Sequence, residues 1–267
     1  MTKPAEPFVV CRPRGPAIPL VVSIPHTGTL LPADIRRRLA SPEMAAQPMT
    51  DWHLHELYDF LPELGITVIH AVYSRFVADL NRPADGRALY PGRFETGLVP
   101  LETFTGERIF SEPPDPQELE RLRREFHQPY HVRLAELLTG HVDSGGRVVL
   151  VDAHSVASGA NRLHPALDRD IYLGDRDGET CGSWLRECLR TAFEVEGLSV
   201  SVNDPYKGGY ITDHYGRLPG VESIQIEMCQ RVYMDELMPE EGPRHRSFDA
   251  ARHALRRVFT ALAARIA

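Results

Sequence analysis

Cysteine is scarce in this chain of 267 residues and carries no pattern. Cys11, Cys181, Cys188 and Cys229 form no CxxC pair. This excludes a disulfide framework and a cysteine zinc knuckle, and predicts reduced thiols in a cytoplasmic protein. Long apolar runs are missing too. Nothing approaches the roughly 18 residues of a membrane helix. The opening MTKPAEPFVVCRPRGP has no apolar core of signal-peptide length, so the expectation is a cytoplasmic protein without membrane association. Positive charge is in deficit: 30 Lys and Arg stand against 37 Asp and Glu, a formal net charge of −7. Nucleic-acid binding as the main function is thereby excluded, although converging arginines can still hold a small anionic substrate. There is no internal repeat, low-complexity tract or polar linker, so one catalytic domain over 1–267 is expected. What is present is ordinary globular composition, 42% hydrophobic and 25% charged, enough to bury a large core.

Apolar, strand-like runs occur at 20–24, 67–71, 148–151, 170–173, 198–202 and 223–226. Several are continuous rather than alternating, as in strands covered on both faces. Helical patterns fall at about 51–64, 115–141, 179–196 and 248–266. The second opens with Asp115 as N-cap and Pro116 in the first turn. Strands alternating with helices predict an α/β sandwich around a mostly parallel sheet. Stretches 81–114 and 203–220 lack periodicity and read as irregular loops, the first rich in Arg, Pro and Gly.

Three polar side chains stand at the carboxyl ends of apolar runs: His26 after VVSIP, His154 after VVLVDA and Glu227 after IQI. Ligands of open α/β sheets bind beyond those strand ends. Two histidines and one carboxylate are a common zinc ligand set, with the fourth position left to water. Glu227 is then free to act as the base, so the carboxylate has to come from elsewhere. Asp51 at the start of a helix is the candidate, and His55, one turn further on, is the alternative ligand. HExxH spacing is absent. Asp152, two residues before His154, is placed to orient that histidine. On the substrate side, Asn81 and Arg82 can hold a carboxylate, Arg75 is close enough in sequence to join them, and Lys207 and Tyr210 flank a glycine pair suited to an anion-binding turn.

Seven strings in this order, SIPHTG at 23–28, TDW at 50–52, SRFVADLNRP at 74–83, GLVPLETF at 97–104, VDAHS at 151–155, KGGYITDHYG at 207–216 and IQIEM at 224–228, resemble the N-formylglutamate amidohydrolase family over 21–234. The resemblance implies hydrolysis of N-formyl-L-glutamate to formate and L-glutamate, the last step of one histidine-degradation route. It also implies a three-layer α/β/α sandwich with a mixed sheet, like the zinc carboxypeptidases and aspartoacylases. It implies Zn2+ (or another divalent metal) on His26, Asp51 and His154, Glu227 as base, and Asn81 with Arg82 at the substrate carboxylate. The chain departs from the family pattern at Asp213, where an arginine is expected, and at Leu101 and Glu102, where threonines are expected. An acidic Asp213 near a pocket for a diacid would repel it. The alternatives are therefore a zinc amidase or carboxypeptidase acting on another small N-acyl amino acid or peptide, or a ligand-binding domain without catalysis.

Overall fold

The computed structural model describes residues 6–90, 92 and 94–266. Seven strands, β1 (Phe8–Cys11), β2 (Leu20–Ile24), β3 (Thr67–Ala71), β4 (Val148–Val156), β5 (Ile171–Gly174), β6 (Val200–Val202) and β7 (Val221–Cys229), make one sheet in the order β1-β3-β2-β4-β7-β5-β6. The four central strands run parallel, while β1 on β3 and β5 on β7 are antiparallel. The sheet is mixed and mostly parallel.

Both faces are covered because the central strands are apolar on both. Val22, Ile24, Val149, Val151, Ile224 and Ile226 face one core, shared with helices α5 (Ser183–Val195) and α7 (Phe248–Ile266). Val21, Ile69 and Leu150 face the other, shared with α4 (Gln128–Gly145) and α6 (Tyr210–Gly216). Burying each such side chain stabilises the fold by about 1.5–3 kcal/mol, which is why continuous apolar runs suit the centre of a parallel sheet. A third cluster, including Leu31, Ile35, Met49, Phe76, Val99 and Leu122, lies under the short helix α1 (Ala33–Arg36), the long loops and the last residue of α3 (Pro116–Leu122). Between α3 and α4 the helix widens into a π turn, Arg123–His127. No helix among the described residues is long and apolar enough to cross a membrane.

Several boundaries differ from the sequence reading. The helix expected over 51–64 is only α2 (Leu54–Leu57) and a 3-10 turn, Leu61–Leu64, because His53 takes a left-handed φ of 58° and the chain cannot enter a helix before it. Strands β4 and β7 continue through His154 and Glu227, which lie opposite one another in register. The stretch 203–220, read as irregular, contains α6. Edge strand β1 was not expected.

Candidate active site

The strand ends deliver their polar groups to one cavity of about 710 Å³. His26 leaves the sheet two residues after β2. The chain at Gly28 then passes so close to the next loop that a Cβ there would lie 2.3 Å from the Tyr73 carbonyl oxygen. The His26 carbonyl accepts the Asp51 N–H at 3.1 Å, which draws Asp51 across from its own loop. Asp51 Oδ2 lies 3.8 Å from His26 Nδ1 and 3.0 Å from His154 Nδ1. The three candidate donor atoms all lie within 4.8 Å of one another, and the three residues are buried. Tetrahedral nitrogen and oxygen ligands about 2.0–2.2 Å from a zinc ion are about 3.3–3.6 Å apart, so these spacings suit such an ion.

Proton positions agree with that fit. His26 Nε2 donates to Asp79 Oδ1 at 2.7 Å, and Asp79 Oδ2 accepts Arg75 at 2.6 Å. Burial alone would raise the Asp79 pKa, but Arg75, His26 and Arg82 overcome it and hold the carboxyl well below its usual range. For His26, burial and Arg75 outweigh the two aspartates and bring its pKa down to about 4. His26 is therefore neutral at pH 7, with its hydrogen on Nε2 and the Nδ1 lone pair turned to Asp51. His154 behaves oppositely. Burial opposes its charge, yet Asp152, Asp51 and Glu227 together raise its pKa well above normal. Without a metal, a proton sits where these carboxylates call for a cation. Asp152 Oδ1 is buried without a hydrogen bond and lies 3.1 Å from His154 Nε2. Asn81 Nδ2, which can only donate, lies 2.9 Å from that same Nε2, so Asp152 and Asn81 together face the ring nitrogen remote from Asp51 and set the orientation of the imidazole.

Other residues singled out in the sequence fall as follows. His55 is exposed, stacks on His70 and has its Nδ1 2.8 Å from the Thr27 hydroxyl, away from the cavity; the missing helical turn removes the relation to Asp51 that made it an alternative ligand. Arg75, expected at the substrate, lines the cavity but is buried against Asp79, with its guanidinium over Phe104. Asn81 lines the cavity too, with both ends of its amide engaged by protein. Its Oδ1 accepts the Ile211 N–H at 2.8 Å, and its Nδ2 faces His154 Nε2 at 2.9 Å and Asp152 Oδ2 at 3.2 Å. Arg82 donates to the backbone carbonyls of Thr96 and Asn81, and no carboxylate among the described residues pairs with it. The Arg82 and Leu80 carbonyls are held in turn by His127 and His131, each at 2.9 Å. Lys207 reaches the cavity wall, but its ammonium is paired with Asp177. Tyr210 packs on His131 and His214 rather than on the wall, where Tyr206 stands instead. Asp213 pairs with Arg176 and Arg217, and Glu102 with Arg162, so neither acidic departure is a free charge.

Glu227 lines the cavity beside His154. Burial pushes its carboxyl up to about 8, with Asp51 and Asp152 adding to the rise and His154 and Arg75 opposing it. Two functional positions escaped the sequence reading. Asp79 lies inside a string that was read only for its Asn-Arg pair. Gln225 donates to Glu227 Oε1 at 2.9 Å. Its signal was available, because residues two apart on a strand share a face.

A sequence model of the N-formylglutamate amidohydrolase family matches residues 18–234. The chain is 39% identical over 226 residues to the N-formylglutamate deformylase of Pseudomonas putida, covering 83% of this chain and 84% of that one, and the Pseudomonas aeruginosa N-formylglutamate deformylase matches with the same figures. Among solved structures, the N-formylglutamate amidohydrolase from Ralstonia eutropha JMP134 superposes with a TM-score of 0.87 at 28% identity, over 98% of this chain and 99% of that one. The gene product Atu2144 from Agrobacterium tumefaciens shares the fold, with a TM-score of 0.73 at 19% identity over 97% and 96%.

Proposed function

This chain belongs to the N-formylglutamate amidohydrolase family, and from that membership we propose that it hydrolyses the formyl amide of N-formyl-L-glutamate to formate and L-glutamate, the whole chain acting as one catalytic unit. The observation that supports this reading best is the joint placement, in one cavity, of His26, Asp51 and His154 with Glu227 and with Arg82, which pairs with no carboxylate among the described residues. His26 and His154 would hold the metal through Nδ1 and Asp51 through Oδ2. A zinc ion bound there supplies a Lewis acid that polarises the formyl carbonyl and lowers the pKa of water. Glu227 takes one proton from the attacking water as the new C–O bond forms. It then hands that proton to the nitrogen as the C–N bond breaks, since an amine is too basic to leave as an anion. Asp79 keeps a hydrogen on His26 Nε2, and Asp152 with Asn81 orients the His154 ring.

Arg82 binds the substrate carboxylate. Because its other contacts are neutral carbonyls, its charge is available, whereas Arg75, Arg162 and Lys207 each already face a carboxylate. Charge-assisted hydrogen bonds of this kind contribute about 1.5–3 kcal/mol. Arg82→Ala should therefore raise KM by about 10–100-fold while kcat and metal content stay near wild type. An unchanged KM would remove Arg82 from the binding site. Among the described residues that line the cavity, one guanidinium without a carboxylate partner matches one substrate carboxylate, which favours a second reading in which N-formyl amino acids with uncharged side chains are also substrates.

The deciding assay measures formate release by zinc-loaded protein from N-formyl-L-glutamate, N-formyl-L-glutamine and N-acetyl-L-glutamate. Release from the first is expected. Release from the glutamine compound at a comparable kcat/KM would support the second reading, and no release from any would end both.

A further inference from the structure

Gln225 and Glu227 alternate with Ile226 along β7, so both side chains leave the same face of the sheet. Gln225 is 4% exposed, and both ends of its amide are committed. Its Oε1 accepts the Gly209 N–H at 2.6 Å, and its Nε2 donates to Glu227 Oε1 at 2.9 Å. The direction of each bond is forced. A backbone N–H can only donate, so the amide oxygen must face Gly209. The NH2 end must then face Glu227, and it too can only donate. Glu227 Oε1 is thereby fixed as an acceptor, and a proton carried by this carboxyl has to sit on Oε2.

We propose that Gln225 is a positioning residue for the proton transfer. By occupying one oxygen of Glu227 it reserves the other, Oε2, to take the proton from water and return it to the leaving nitrogen. This inference rests on the amide hydrolysis proposed above and on Glu227 as its base.

The same turn of backbone sets a second amide. Two residues after Gly209, the Ile211 N–H fixes Asn81 Oδ1, which turns Asn81 Nδ2 onto Asp152, the carboxylate behind His154. The start of α6 thus registers the base through Gln225 and the ligand histidine through Asn81. Gly209 has to be glycine for this to work, because a Cβ there would lie 2.3 Å from Asn81 Nδ2.

A double-mutant cycle on the zinc-loaded protein tests the assignment. Gln225→Met keeps the length of the side chain and removes both hydrogen bonds. It should lower kcat by about 10–100-fold, the scale of a misplaced reacting group, with KM, metal content and the Kd of L-glutamate within about twofold of wild type. In a Glu227→Gln background the same substitution should cost nothing further, since there is no proton left to place. Gln225→Glu serves if the Met variant does not fold: it keeps an acceptor for Gly209, but two buried carboxyls so close share one proton between Glu227 Oε1 and the new side chain instead of reserving Oε2, and its kcat should fall likewise. An unchanged kcat overturns the proposal. So does an equal loss in both backgrounds, which marks plain structural support. If instead Glu227→Gln is itself as active as wild type, the reading of Glu227 as base fails and this inference falls with it, an outcome visible in the single variant alone.

Discussion

Enzyme carrying Glu227→Gln should hold metal at the wild-type ratio, bind N-formyl-L-glutamate normally and turn it over about 10²–10⁴-fold more slowly. The substitution keeps the shape of the side chain, and its carbonyl oxygen can still accept from Gln225 Nε2 as Glu227 Oε1 does now. What it removes is the capacity to accept a proton. Burial, aided by Asp51 and Asp152, raises the pKa of the native carboxyl and favours its holding a proton, and a cation bound beside it would lower that pKa and favour its taking part as the anion. Single-turnover formate release and metal analysis on the same preparation separate the outcomes. Metal loss would make Glu227 a ligand. Near-normal turnover with full metal would leave the reaction without this base.

Asp51→Asn should have an effect of similar size by a different route. Asp51 contributes the anionic oxygen between His26 Nδ1 and His154 Nδ1, and also accepts the Ser155 N–H at 3.2 Å. Asparagine keeps an acceptor for that N–H and loses the charge. Zinc affinity should fall by more than the roughly 10–100-fold that follows loss of an outer partner of a ligand, and activity without added metal should fall to below about one-hundredth of wild type, by the same reasoning. His55→Ala, which alters the exposed histidine on Thr27, should leave both unchanged. Competition with a chelator of known affinity reads both variants. Full zinc in Asp51→Asn together with zinc loss in His55→Ala would reverse the assignment of the third ligand.

Much of the fold can be read from composition along the chain. Continuous apolar runs marked β2 and β3 to the residue, since a strand buried on both faces needs no polar alternation. The same rule cut β4 and β7 short. Their distal halves carry Asp152, His154, Ser155, Gln225 and Glu227, polar groups that a strand tolerates only where a site uses them. Helix α6 was hidden behind Gly208-Gly209, which reads as a turn, and is too short to show a periodic face. For the site, strand-end position pointed to His26, His154 and Glu227, and the structure brings them into one cavity with Asp51. The partners of Arg75 and Asn81 could not be read in advance. Whether a buried guanidinium meets a substrate or a neighbouring aspartate depends on one turn of local backbone, and Arg75 and Asp79 are four residues apart on it.

The widened turn at Arg123–His127 has a consequence for how this catalyst could change over time. It holds one more residue per turn than a regular helix, so winding it back would rotate α3 against α4 by about 100°. Leu122 at the end of α3 belongs to the loop core, and Tyr130 and Leu134 of α4 belong to the sheet core. The extra residue lets one rod satisfy both while His127 and His131 stay on the carbonyls flanking Asn81. The site therefore stands on two supports that meet at Asn81. His26, His154 and Glu227 are carried by the strands and the loops after them, whereas the backbone on either side of Asn81 is held from a helix. Mutations that tilt or soften that helix should therefore be felt twice, at Arg82 and, through Asn81, at Asp152 and His154, so a lineage could not loosen one without disturbing the other.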